Sequence, residues 1–315
     1  MNELSADTPF FIIFNYASGS GDGREARRAM EELLVARQRK HEFFVVEDPK
    51  RLQDIAKRAA EAAERDNGAV VVAGGDGTIN AAAQATLPTG RPFGIVPQGT
   101  FNYTTRSHAI PLDPNEATLA LLNARISPMQ VGLVNDRVFL VNASVGLYPE
   151  LLEDREEYKR RYGRYRSVAM WSGLMSLLRE HEQLTLEIEH DHEREVVRTP
   201  ALFIGNNALQ LERAGLPEAE DVEQRRLAAV LVKQVGTAAL LWLALRGALG
   251  QLGGADRVRD FAFRRMSVQP QRPRGRALKV ATDGEIHWLK PPITFSVAPR
   301  RLLLMVPAAT PETNG

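Results

Sequence analysis

The apolar run Ala69-Val70-Val71-Val72-Ala73 leads straight into Gly74-Gly75-Asp76-Gly77-Thr78, and then into Ile79-Asn80-Ala81-Ala82-Ala83-Gln84. The run is short and β-branched, which predicts a strand buried on both faces. The alanine-rich continuation predicts a helix. A strand, a glycine turn and a helix in that order aim backbone N–H groups and a helix N-terminus at an anionic group, usually phosphate. Glycines at 74, 75 and 77 let the backbone come close to such a group. Asp76 would be repelled by bare phosphate, so it points to a cation beside the phosphate or to chemistry at a nearby hydroxyl. Nucleotide with Mg²⁺ fits that better than phosphate alone. A tight turn in which Asp76 caps the next helix is the plain alternative.

The surrounding chain repeats the arrangement. Phe10-Phe11-Ile12-Ile13-Phe14 reads as a buried strand ending in the polar, glycine-rich turn Asn15-Tyr16-Ala17-Ser18-Gly19-Ser20-Gly21. Arg24 to Lys40 is helical in period, Glu42 to Val46 extended, and Leu52 to about Glu64 an alanine-rich helix. Phe93-Gly94-Ile95-Val96 gives another strand, followed by Pro97-Gln98-Gly99-Thr100-Phe101-Asn102-Tyr103-Thr104-Thr105-Arg106. The β-α-β-α-β order predicts an α/β N-terminal domain with a doubly wound, mostly parallel sheet and a ligand crevice at the carboxyl ends of its strands. Three polar turns at that edge predict one nucleotide site.

From Met129 the texture changes. Short alternating segments recur at Gln130–Val134, Arg137–Asn142, Leu184–Glu189, Glu195–Ile204, Leu227–Val232, Val258–Val268, Ala277–Ala281, Glu285–Leu289, Ile293–Val297 and Arg301–Val306. They predict a mainly antiparallel β-sandwich. The expected division is residues 1–128 for the nucleotide-binding domain and 129–315 for a second, substrate-binding domain. Two helical insertions, Glu150 to Arg179 and Gly236 to Leu249, interrupt the second part. Arg155 to Arg166 holds six basic and two acidic residues with Tyr158, Tyr162 and Tyr165 interleaved, either a stripe for an anionic bilayer or a helix packed on the sheet. Gly236 to Leu249 is apolar nearly all round.

Composition excludes several classes. The 315 residues balance to a formal charge of +1, so no nucleic-acid partner is expected. With no cysteine there are no disulfides, thiolate metal sites or Cys nucleophile. No apolar run approaches the roughly 20 residues of a membrane span, and Met1 to Pro9 lacks the parts of a signal peptide. The expectation is a cytoplasmic protein able to touch the inner membrane surface. No Gly-x4-Gly-Lys-Ser/Thr loop, His-Glu-x-x-His helix or Gly-x-Ser-x-Gly elbow is present.

Taken together, Asn15-Tyr16-Ala17-Ser18-Gly19, Gly74 to Asn80, Pro97-Gln98-Gly99-Thr100-Phe101-Asn102 and a late Asp283-Gly284-Glu285 resemble the diacylglycerol kinase catalytic-domain family. That family includes bacterial soluble lipid kinases and the sphingosine and ceramide kinases. Gly-Gly-Asp-Gly-Thr alone is shared with NAD kinases and phosphofructokinases; the later Pro-x-Gly-Thr-x-Asn narrows the likeness to lipid kinases. The resemblance implies an ATP- and Mg²⁺-dependent kinase that moves the γ-phosphoryl group to a diacylglycerol-like lipid hydroxyl at a membrane surface, in phospholipid biosynthesis. It implies nucleotide contacts from Asn15, Ser18, Gly19, Gly74, Gly75, Asp76, Gly77, Thr78, Asn80 and Thr100. It implies catalytic roles for Glu285 as proton acceptor, Asp283 beside it, and Asp76 in ordering Mg-ATP. No residue is assigned as a metal ligand. Read without the family, Asp283-Gly284 is also the strongest short signal for a hairpin turn.

The chain departs from the family pattern at Tyr16, where proline is usual, at Tyr103, where an aspartate usually follows the Asn, and at Asp48, where a threonine is common. A second Mg²⁺ motif, Asp-Gly-x-Leu, is matched only by Gln224-Arg225-Arg226-Leu227, and a glycine-rich turn after Gly205-Asn206-Asn207 is replaced by Ala208-Leu209-Gln210. Two other functions stay open on the residues: a kinase of a soluble metabolite such as NAD, and a catalytically inactive nucleotide-binding regulatory protein.

Overall fold

The computed structural model describes residues 3–18, 23–99, 102–146, 149, 183–191, 193–233, 242, 246, 258–271 and 277–308. The insertion Glu150 to Arg179, with its stripe from Arg155 to Arg166, and all of Gly236 to Leu249 but two positions, lie outside the described residues. The chain forms two compact units, Met1–Val131 with Pro299–Gly315, and Gly132–Ala298.

The first unit runs β1 (Phe10–Asn15), α1 (Gly23–Ala36), β2 (His41–Val46), α2 (Leu52–Arg65), β3 (Ala69–Gly74), α3 (Asp76–Thr86), β4 (Pro92–Pro97), α4 (Tyr103–Ser107), α5 (Pro114–Leu122) and β5 (Ala124–Met129). β1 pairs in parallel with β2 on one side and β3 on the other, and β3 with β4. Every residue of β1 and β3 is buried, as apolar runs flanked by helices on both faces require. Helix α2 buries Ile55 and five alanines, small side chains that bring its axis close to its neighbours. Periodicity alone predicts no element over residues 114–129. Asp113 nevertheless caps α5 there, accepting the N–H groups of Asn115 and Glu116 at 2.9 and 3.0 Å, with Pro114 as the first helical residue.

The second unit contains β6 (Gly132–Val134), β7 (Arg137–Phe139), β8 (Asn142–Gly146), β9 (Leu184–His190), β10 (Glu193–Thr199), β11 (Ala201–Gly205), α6 (Ala208–Ala214), α7 (Ala219–Glu223), β12 (Leu227–Val232), β13 (Val258–Phe263), β14 (Arg265–Pro270), β15 (Leu278–Thr282), β16 (Glu285–Leu289) and β17 (Ile293–Val297). They build two antiparallel sheets, β10-β9-β14-β17-β6-β7 and β13-β12-β11-β8-β15-β16. Inward-facing residues of both sheets, among them Leu186, Ile188, Met266 and Phe295 from one and Val145, Ile204, Phe263 and Val280 from the other, share one apolar core. The outer face of the second sheet is covered near β11 to β13 by Leu211, Leu216 and Val222 of the α6–α7 segment. The run expected as a single strand from Glu195 to Ile204 is two strands. It breaks at Pro200, which has no N–H for the ladder, and Thr199 Oγ1 lies 2.7 Å from Ala201 O and 2.8 Å from Val232 O, filling the gap.

After β17 the chain returns to the first unit as β18 (Leu302–Pro307). It lies parallel to β4 and antiparallel to β5, completing the order β2-β1-β3-β4-β18-β5. A division that assigns everything after residue 128 to the second domain therefore misplaces this strand. Its alternating apolar pattern reads the same in either sheet, so only pairing reveals where it belongs.

Candidate active site

In the first sheet the chain leaves β1 toward β2 on one side and reappears as β3 on the other. The carboxyl ends of β1 and β3 thus flank a topological switch point, where open α/β sheets leave a crevice for ligands. The turns after β1, β3 and β4 gather there.

Asn15, the last residue of β1, is 8% exposed. Its Nδ2 donates to Thr78 Oγ1 at 2.8 Å and its Oδ1 accepts the Ala17 N–H at 3.0 Å. Both ends of the amide are engaged within the protein, so Asn15 staples the first turn to α3. Ser18 Oγ accepts the Gly75 N–H at 3.3 Å, a second stitch between the same two turns. A Cβ on Gly74 would lie 2.6 Å from Thr78 Cβ, so only glycine lets α3 begin this close to its strand.

The second and third turns touch through glycine. A Cβ on Gly99 would lie 3.0 Å from Asn102 Oδ1, 3.1 Å from Gly75 Cα and 3.4 Å from Asp76 Oδ2. Gln98 N–H donates to Gly74 O at 2.9 Å, carrying the β3–β4 ladder into the turns. Asn102 adopts a left-handed conformation, φ 49°, at the N-cap of α4, and its Nδ2 donates to Gly99 O at 2.9 Å. Its Oδ1 is buried without a hydrogen-bond partner, as is Gln98 Oε1. An orphaned acceptor such as Asn102 Oδ1 beside a glycine cradle is what a donor-bearing or cationic ligand would satisfy.

Asp76 opens α3 behind Gly75, an N-cap with no side chain to offer. Burial raises its carboxyl above the ordinary value, opposed by N–H donation from Asn102 and from its own backbone. Gly77, Thr78 and Asn80 follow in the first turns of α3, where the helix dipole is positive and favours phosphate. Gly19 and Thr100 lie outside the described residues.

The second unit holds the other two carboxylates. Asp283 and Gly284, with φ of 46° and 88°, form a two-residue turn between β15 and β16, whose Thr282 and Glu285 are cross-strand partners. That is the backbone an Asp-Gly hairpin favours. The Asp283 carboxylate accepts three backbone N–H groups, from Leu140 at 2.7 Å, Val141 at 2.9 Å and Asn142 at 3.0 Å. Geometry gives it a holding role: it ties the hairpin to the start of β8 rather than presenting an open base. Glu285 has no hydrogen bond to its carboxylate among the described residues. It opens to solvent at the head of edge strand β16, yet enough protein surrounds it to raise its carboxyl; Asp283 raises it further and Arg137 works the other way. His287 shares its face two residues on, and burial, then Arg137, lower its imidazole and favour the neutral ring. Period-two alternation along β16 was the signal that could have picked out His287.

Among the described residues no three His, Asp or Glu side chains are grouped to hold a metal ion. In the segment matching the second Mg²⁺ motif, Arg226 Nη1 lies 3.4 Å from Asp221 Oδ1, and Glu218 is hydrogen-bonded to Asp260. Asn206 and Asn207 are likewise structural: Asn206 Nδ2 donates to Leu140 O at 2.9 Å, and Asn207 Oδ1 caps α6 by accepting the Gln210 N–H at 3.0 Å.

Comparison with known proteins agrees with this architecture. Residues 9–134 match the model of the diacylglycerol kinase catalytic domain. A YegS-like lipid kinase of Serratia proteamaculans is 36% identical over 143 residues, 44% of this chain and 45% of that protein. A diacylglycerol kinase of Bacillus subtilis is 33% identical over 142 residues, 44% of this chain and 46% of that protein. The chain thus aligns with about half the length of the curated relatives it matches. A diacylglycerol kinase crystal structure from Bacillus anthracis superposes with a TM-score of 0.73 at 18% identity, covering 96% of this chain and 98% of that one. Residues 9–134 thus match the diacylglycerol kinase catalytic domain in sequence, and over nearly its whole length the chain shares the fold of the Bacillus anthracis structure.

Proposed function

We propose that the protein is an ATP-dependent lipid kinase that transfers the γ-phosphoryl group to the hydroxyl of diacylglycerol or a closely similar lipid, working from the cytoplasm at the inner membrane surface. The observation that carries this reading is the meeting of the turns at Gly75 and Gly99 around Asp76, at a switch point and at a helix N-terminus, within a segment matched by the family model. The cradle fits a nucleotide. Gly74, Gly75 and Gly77 leave the backbone bare, the first turn of α3 offers N–H groups to phosphate, and Ser18 and Asn15 hold the turn in shape. Asp76 and the orphaned Asn102 Oδ1 are the oxygen donors that would face Mg²⁺ carried by the nucleotide. When bound, that ion supplies charge neutralisation along the phosphates.

Phosphoryl transfer to an alcohol is chiefly positioning, with a carboxylate to take the hydroxyl proton. Glu285 is that carboxylate in this reading, and its raised pKa improves the match between its basicity and neutral pH. Asp283 acts through it, as a positioning residue that fixes the hairpin. The product, a phosphorylated lipid, would enter phospholipid synthesis.

The deciding experiment is transfer of labelled γ-phosphate from ATP to a panel of lipids in mixed micelles, comparing wild type with Glu285→Gln and Asp76→Ala. A labelled lipid that both variants diminish by about 10² or more supports the reading and names the acceptor. Tyr103, standing where the family has a carboxylate, is the observation that favours a second reading, a nucleotide-binding protein without transfer. ATP binding with no labelled lipid would establish that second reading, and transfer to NAD instead would make the protein a metabolite kinase.

A further inference from the structure

The β15–β16 hairpin has two unlike faces. Leu278, Val280 and Leu289 point into the shared core of the second unit. Alternation therefore sends Lys279, Ala281, Ile286 and Trp288 to the opposite face. There Trp288 is 63% exposed, among the largest exposed apolar surfaces of the described residues. Lys279 is its cross-strand partner, and its Nζ stands 5.1 Å from the Trp288 ring centroid. Lys290 follows immediately after this edge strand, and it too is exposed. Between Ala277 and Thr282, and between Ile286 and Ile293, the hairpin and its exit carry two lysines and no carboxylate.

A lysine near a sheet edge needs no special reason, since charge there discourages unwanted pairing. An exposed tryptophan does, because water gains nothing from it. Indole beside ammonium is the pair that settles where an anionic lipid headgroup layer meets the acyl region: the ring enters the interface and the lysines meet the phosphates. β16 also carries Glu285 at its other end, three residues from Trp288 and hence on the opposite face, about 10 Å along the strand. We propose that the Lys279–Trp288 face of the β15–β16 hairpin, with Lys290, is the surface by which this protein docks on an anionic bilayer. This deepens the lipid-kinase reading and rests on it only for the purpose of docking: the face brings the strand bearing the proton acceptor to the depth at which a lipid hydroxyl lies.

The test needs no turnover. The chain has three tryptophans, so Trp171→Phe with Trp242→Phe leaves Trp288 as the sole indole. Its emission is followed while vesicles containing about 30% phosphatidylglycerol, or phosphatidylcholine alone, are added without ATP. The expected result is a blue shift with the anionic vesicles only. In the otherwise native chain, Trp288→Ala is expected to weaken sedimentation with anionic vesicles about 10-fold, and Lys279→Gln and Lys290→Gln about 5-fold each. Turnover of a short-chain, monomeric diacylglycerol by Trp288→Ala is expected to equal wild type, while turnover of vesicle-borne lipid falls. An unchanged emission, equal binding to neutral vesicles, or sedimentation untouched by Trp288→Ala would each overturn the proposal. A blue shift that grows with protein concentration in the absence of vesicles would also overturn it, by showing that a second copy covers this face. If vesicles are bound as expected and no lipid is phosphorylated, the docking surface stands and the kinase reading fails.

Discussion

Replacing Asp283 separates holding from catalysis. Its carboxylate gathers the N–H groups of Leu140, Val141 and Asn142 at 2.7 to 3.0 Å, and its own N–H donates to Asn142 O at 2.9 Å. Hydrogen bonds to a charged acceptor are worth about 1.5–3 kcal/mol each, but three on one carboxylate do not add in full. Asp283→Ala removes all three, leaves the N–H groups to find water, and puts a Cβ-bearing residue without a polar side chain at φ 46°, which costs about 1 kcal/mol more. The expected loss is about 3–5 kcal/mol. Asp283→Asn keeps one acceptor oxygen and a residue that tolerates the left-handed region, so about 1–2 kcal/mol is expected. Urea unfolding followed by circular dichroism reads both values. At a temperature where each variant is folded, Asp283→Asn is expected to retain phosphoryl transfer within about 10-fold of wild type, because the proton acceptor is untouched. Two results would refute this reasoning. One is Asp283→Ala unfolding within about 1 kcal/mol of wild type. The other is Asp283→Asn losing about 10² or more in transfer while its stability holds, which would make Asp283 a catalytic residue.

Gly99→Ala is expected to weaken ATP binding about 10-fold or more by calorimetry, since the new methyl would meet the Gly75 backbone at 3.1 Å and fill the space beside Asp76. Glu285 must be ionised to accept a proton, and its carboxyl is raised by burial and by Asp283. The acid limb of kcat/KM should therefore lie above that of an ordinary glutamate, activity falling as pH drops through the raised value, and the limb should vanish in Glu285→Gln along with about 10²–10⁴ of the rate. Glu218, 8% exposed, is pushed up to about 7 by burial and by its hydrogen bond to Asp260. A folded-state value above the unfolded one stabilises fully below the unfolded pKa of 4.5, and that contribution is lost as pH rises through about 7. Thermal unfolding between pH 5 and 8 should show wild type losing about 1–3 kcal/mol relative to Glu218→Gln, whose neutral amide has no such slope.

Where periodicity and turn chemistry act locally, the sequence carried the structure. The runs at Leu227–Val232, Glu285–Leu289 and Ile293–Val297 are strands to the residue; the last two are set off by Asp-Gly and Pro-Pro turns, and the first is an apolar run buried on both faces. The three glycine turns do converge, because parallel strands separated by helices leave their carboxyl ends no other edge. What escaped was set by contacts distant in sequence. The membership of Leu302–Pro307 in the first sheet depends on a gap between β4 and β5 that no local pattern announces. The employment of Asn15 on Thr78, 63 residues away, could not be told from an amide aimed at adenine. His287 is the mixed case: local alternation along β16 puts it on the face of Glu285, while its lowered imidazole depends on the surrounding protein and on Arg137 of another strand.

The two Asp-Gly turns show how far residue type alone can reach. Asp76-Gly77 and Asp283-Gly284 both follow a strand, and the family resemblance implies a catalytic role for both aspartates. At Asp283 three backbone N–H groups of one loop close on the carboxylate, and the turn is thereby fixed to β8. At Asp76 the partners are the N–H of Asn102 and its own, and burial still raises the carboxyl above its ordinary value. A carboxylate satisfied by donors needs no ligand, whereas one that burial leaves short of them gains from a cation. Beside Asp76 stands the orphaned oxygen of Asn102, which donors of the protein leave unsatisfied as well. The difference between a clasp and a ligand-facing acid therefore lies in the count of N–H groups that the fold delivers to each, and that count assigns the nucleotide's cation to Asp76 in the reading proposed here.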